Sequence, residues 1–210
     1  MDSKRLLPLS GVVFVALILL SIIGISGGTP SSGASADEVA SFYDENMVRQ
    51  AIGTFVLAAA VPFLVFFGVA LTRTRSHGDE SVWRQVTLAG TILAGGAILA
   101  TAFVHFALVD GGDQKISPTA LQALNSLDGN TWMAFNPAFG VMMLGAAGIL
   151  LSAGVMRWLG WSAVVLGVAA FIPFADFFAL VMSLLWIVVT SFVLARAKSE
   201  PAYAAAPGAA

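Results

Sequence analysis

The sequence predicts an all-α membrane protein, a bundle of six transmembrane helices with short amphipathic helices on its outer face. Three observations lead there. Of the 210 residues, 58% are hydrophobic and only 10% are charged, and the mean hydropathy is +0.89. A soluble surface needs more charge than that, whereas a bilayer needs little. Apolar runs occupy residues 6–26, 51–72, 86–110, 132–156, 158–174 and 177–195. With six crossings, the charges then separate by side. Eight of the ten basic residues (Lys4, Arg5, Arg73, Arg75, Arg84, Arg157, Arg196 and Lys198) fall on one side with four acids, a balance of +4. Arg49 and Lys115 fall on the other side with eight acids, a balance of −6, which restores the overall −2. Basic residues stay in the cytoplasm, so the expected protein is a multi-pass plasma-membrane protein with both termini cytoplasmic. Residues 1–200 form one transmembrane domain and 201–210 a disordered, low-complexity tail.

The first run follows Lys4 and Arg5. A secretory signal peptide is the alternative reading. The run is longer than a typical signal core, and the small-residue triplet Ala34-Ser35-Ala36 lies well past its end, so a retained first helix is expected. Residues 27–33 (GGTPSSG) are a loop by composition. Ser35 and Glu38 have the spacing of a capping box, and Val39, Phe42, Tyr43 and Met47 follow at helical spacing. Residues 36–50 therefore read as an amphipathic surface helix running into the second span, or as a plain extension of it. Pro62 is expected to kink that span.

The loop at 73–85 holds His77, a solvated residue among Gly, Asp and Glu. The third span, GTILAGGAILATAFVHFALVD, carries His105, the only histidine in an apolar run. Gly90 with Ala94, and Gly96 with Ala100, put small residues four apart, where a neighbouring backbone approaches closely. In the next loop Ser117-Pro118 is an N-cap with proline at the first helical position. Ile116 and Leu121 form a hydrophobic staple, and Asp128-Gly129 ends the short helix. Asn136-Pro137 interrupts the outer turn of the fourth span, whose Gly140, Gly145 and Gly148 are packing positions. Trp158 and Trp161 anchor the fifth span at the interface. A tight turn at 173–176 leads to the sixth.

Polar groups within spans are costly, so each requires a partner or a role. His105 lies about 7.5 Å below the outer end of the third span at the helical rise. Thr54, Asn136 and Asp176 share its depth. These four residues form the candidate ligand site, an outward-opening polar pocket in which His105 and Asp176 pair around a small ligand or lipid headgroup. The structural alternative has His105 bonding a backbone carbonyl or Asn136, and Asp176 capping the last helix.

One histidine and one aspartate are too few for a metal site. With no cysteine in the chain, thiolate chemistry and iron–sulfur clusters are excluded. No ionisable residue lies in the middle or inner halves of the spans, which argues against an ion path across the bilayer. Phosphate-loop, zincin, nucleophile-elbow and dinucleotide motifs are absent. No catalytic residue, cofactor or nucleic-acid partner is expected.

The stretches Asp37-Glu38-Val39-Ala40-Ser41-Phe42-Tyr43, Ala123-Leu124-Asn125, Arg157-Trp158-Leu159-Gly160-Trp161 and Leu184-Leu185-Trp186 resemble a group of small uncharacterised multi-pass membrane proteins of actinobacteria. The resemblance covers most of residues 35–196 and implies a helical bundle in the plasma membrane, with no activity attached. Three functions follow as expectations. The first is a non-enzymatic protein of the lipid bilayer with a ligand-binding pocket. The second is an accessory subunit that meets a membrane-protein partner or its own copy. The third is a small transporter or intramembrane enzyme using His105.

Overall fold

The structure, a computed structural model, describes residues 6–74, 81–154 and 156–197. The expected tail at 201–210, His77, and the basic residues Lys4, Arg5, Arg75 and Lys198 lie outside the described residues. All regular structure among the described residues is helical.

Helix α1 (Leu7–Ser26) starts in a tight turn with Pro8, where a missing N–H costs nothing. It widens over Leu20–Ser26 and stops at Gly27, whose φ of 65° favours glycine. Helix α2 (Ala36–Thr72) has the Ser35 half of the expected capping box, the Glu38 N–H donating to Ser35 Oγ at 3.3 Å. Residues 36–50 are an in-line extension of α2, with no break to set them apart as a surface helix. At 37 residues, α2 is about 55 Å long, well beyond an apolar bilayer core of about 30 Å. Pro62 sits inside it without ending it.

Helix α3 (Ser81–Asp113) is longer than the run that predicts it. Helix α4 (Pro118–Asp128) has the expected cap, Ser117 Oγ accepting from the Ala120 N–H at 3.3 Å. Ile116 and Leu121 meet beside Gly111, as a staple requires. Helix α5 (Trp132–Ser152) ends before Gly154, which takes a φ of 68°.

The fifth apolar run departs from expectation. Helix α6 (Arg157–Ala169) has 13 residues instead of filling 158–174. That is about 20 Å, short of a bilayer core. Pro173 disfavours helical backbone at Ile172, and the chain turns through Phe174 at a φ of 69° into α7 (Asp176–Ala197). Among the described residues, five segments are long and apolar enough to cross a membrane.

Helix α3 lies at the centre, between α2 and α5. Glycine makes this possible. A Cβ on Gly90 would strike the Met142 backbone, and one on Gly145 the Thr87 backbone. Gly140 and Gly167 bring α5 and α6 together in the same way. The main core joins Phe14, Leu64, Phe67, Ile98, Phe139 and Met142. A smaller core of Val39, Tyr43, Leu108, Val109 and Leu121 fastens α4 across the ends of α2 and α3. Asn125 and Gln122 then tie α4 to the 27–35 loop, donating to the carbonyls of Ser31 and Ala34 at 2.8 Å each.

Candidate functional site

The centre of the site is His105, near the C-terminal end of α3 and 9% exposed. Its Nδ1 lies 2.9 Å from Asp128 Oδ2, and its Nε2 lies 3.0 Å from Gln50 Oε1. Asp128 is the last residue of α4, and Gln50 sits at the start of the apolar part of α2. The ring therefore ties three helices together.

Both neighbours turn oxygens toward the ring. Gln50 Nε2 donates to the Ser26 carbonyl at 2.8 Å, which turns Oε1 toward the ring as an acceptor. Ionised Asp128 also only accepts. Each ring nitrogen therefore faces a side-chain oxygen, one on Asp128 and one on Gln50. Side-chain exposures of 11% and 14% keep both residues away from bulk water, so losing either partner leaves the other costly to bury.

Tyr43 closes one side. Its ring meets His105 edge-on, with centroids 5.9 Å apart. It lies in the charged extension of α2, ahead of the apolar span. Burial pushes its hydroxyl well above the usual phenol range, and the charge of Asp128 adds to the shift. The hydroxyl has no hydrogen-bond partner among the described residues, so Tyr43 acts here as an apolar ring.

Below this cluster, walled by α1, α2, α3, α5 and α7 and closed at one end by Asp128 of α4, lies a cavity of about 250 Å³. Phe14, Ile18, Leu57, Ile98, Phe139 and Leu184 form its apolar depth. Ser21, Thr54, Thr101, His105 and Asp128 form its polar end. Two of those hydroxyls are spent internally. Ser21 donates to the Gly53 carbonyl at 2.7 Å, and Thr54 to the Gln50 carbonyl at 2.8 Å. Asp128 Oδ1 and Thr101 Oγ1 are buried without a partner among the described residues.

The four residues singled out by sequence thus divide in two. His105 and Thr54 line the cavity, whereas Asn136 and Asp176 do not. The expected His105–Asp176 pair is replaced by His105–Asp128, because α4 folds back over the end of α3 and delivers a nearer carboxylate. Asp176 instead accepts from Asn136 Nδ2 at 3.1 Å and from the Phe177 N–H at 2.8 Å. It links α7 to α5 and caps α7, which is the structural alternative for that residue. Gln50, Asp128 and Thr101 escaped the sequence reading. Gln50 precedes Thr54 by one helical turn, a weak signal of a shared face. Asp128 read only as a turn residue.

Among the described residues, no group of three or more His, Asp or Glu side chains gathers as a metal site would require. Comparison with protein-family models, curated proteins and solved structures finds no match for the chain.

Proposed function

We propose that this chain is a non-enzymatic multi-pass membrane protein that binds a small lipophilic ligand in the cavity beneath His105. The observation that carries this reading is the cavity itself, apolar in its depth and polar at one end, with a three-helix hydrogen-bonded cluster at that end. Ligand pockets have this division between apolar walls and a few placed polar groups. We place the α4 end outside the cell and both termini in the cytoplasm, on the asymmetry of basic residues. In this reading α6 completes a sixth crossing together with residues 170–175. The motif resemblance to small actinobacterial membrane proteins supports a plasma-membrane location.

Native mass spectrometry of protein released gently from its own membrane tests this. The expected result is a defined small mass on the wild type that is lost when Leu57→Trp fills the cavity and kept by Asn136→Ala. A bare chain would overturn the reading.

A second reading, an accessory subunit, draws on one face of α3. Leu93 and Phe103 are exposed there, and nothing lies within 4 Å of a Cβ built on Gly96.

A further inference from the structure

We infer that the cavity is a site for a single-chain amphiphile whose head donates hydrogen bonds, a hydroxyl or primary ammonium and not a carboxylate or phosphate. This rests on the binding function proposed above and narrows it to a chemical class.

The polar end decides the head. Two buried oxygens, Asp128 Oδ1 and Thr101 Oγ1, line the cavity without partners. The first only accepts, and an unmade hydrogen bond at a buried carboxylate is costly. Several of the donors nearby are committed. Both His105 nitrogens are used by Gln50 and Asp128, and the Ser21 and Thr54 hydroxyls donate to backbone carbonyls. An anionic head would be repelled by the unpaired carboxylate oxygen of Asp128, whereas the Ser26, Thr29 and Thr101 hydroxyls that also line the cavity can meet a neutral or donating head. A hydroxyl or ammonium head donates to Asp128 Oδ1, and Thr101 Oγ1 provides a second contact.

The walls decide the tail. On α3 the lining runs from Ile98 to His105, about 10 Å along the axis. At about 250 Å³ the cavity is smaller than the roughly 300–1,000 Å³ that encloses a drug-sized ligand. One head and a short length of a single chain fit inside it, with no room for two chains side by side.

The route also suits an amphiphile. Helix α7 packs along Leu7–Leu19 of α1, where a Cβ on Gly11 would press on Ile187. Farther toward α4, both helices line the cavity, through Ser21 and Ile22 on α1 and Leu180 and Leu184 on α7. Ile22 is 51% exposed and its neighbour Ile23 72%. The cavity therefore meets the bundle surface on the apolar flank of α1, where a chain arrives from the bilayer and its far end remains there.

The test uses the full chain in lipid nanodiscs, titrated with 1-decanol, decylamine and decanoate, and read by competition with a brominated decanol that quenches tryptophan. Decanol and decylamine are expected to bind at least tenfold more tightly than decanoate. Thr101→Val, an isosteric change, is expected to weaken decanol about tenfold and to leave decane unaffected. Decanoate binding as tightly as decanol, or indifference to Thr101→Val, overturns the head assignment while leaving the cavity as a lipophilic site. If none of the probes binds, decane included, and Leu57→Trp changes nothing, the binding function itself fails.

Discussion

His105 is placed as a tie between helices by two acceptors. Replacing it with alanine strands Asp128 and Gln50 Oε1 in a buried setting. His105→Ala is expected to destabilise the folded protein by about 3 kcal/mol, the scale for breaking a buried pair from one side. Denaturant unfolding in mild detergent measures this. A double-mutant cycle with Asp128→Ala should return a coupling above about 1 kcal/mol, since the residues touch. Additive effects would mean that the contact contributes nothing. Tyr43 behaves oppositely. Its hydroxyl is buried and unpartnered, so Tyr43→Phe removes an unpaired polar group while keeping the edge-on ring. Unchanged or raised thermal stability is the expected outcome, and a clear loss would show that the hydroxyl has a partner.

At the scale of elements, α3 has two small-residue faces that the sequence does not distinguish. Gly90 and Ala94 face α5 and are closed by it, whereas Gly96 and Ala100 are exposed. Gly90→Leu forces a side chain into the Met142 backbone and is expected to cost at least about 1–3 kcal/mol, as overpacking does. Gly96→Leu is expected to be neutral in the isolated chain. Measured in the native membrane, it also separates the two functional readings. A loss of abundance or of a co-purifying protein there, with purified stability unchanged, would favour the accessory-subunit reading. Helix α4 is held by a small core and by side-chain bonds to the 27–35 loop. Asn125→Ala removes the bond to Ser31 and should speed amide exchange in 27–35 and α4 before the main bundle responds.

For the whole molecule, the open question is how often the chain crosses. Because it has no cysteine, single cysteines report topology without background. With six crossings, Ser117→Cys and Pro173→Cys both react with an impermeant maleimide on intact cells, and Ser152→Cys reacts only after permeabilisation. Protection of Pro173→Cys, with Ser117→Cys still labelled, would show that α6 does not complete a crossing. The cavity belongs to this scale too, since its walls come from α1, α2, α3, α4, α5 and α7, and no single helix carries the site.

Local physics, and therefore sequence, determined the helical membrane class, the caps at Ser35 and Ser117, the staple of Ile116 on Leu121, and the small-residue approach at Gly90. Each depends on residues within a turn or two, or on the hydropathy of one run. Sequence also marked His105 as the polar residue most in need of a partner. Tertiary structure decided which partner it received. Asp176 and Asp128 both sit at helix ends near the depth of His105, and depth cannot rank them. The ranking follows from α4 folding back onto Val39, Tyr43 and Leu108, a packing event between segments far apart in the chain. The meeting of α5 and α7 paired Asn136 with Asp176, while Thr54 and His105 remained on the cavity. A hydrophobic run reports how deep a residue lies, but its direction around the bundle is set only when the helices meet.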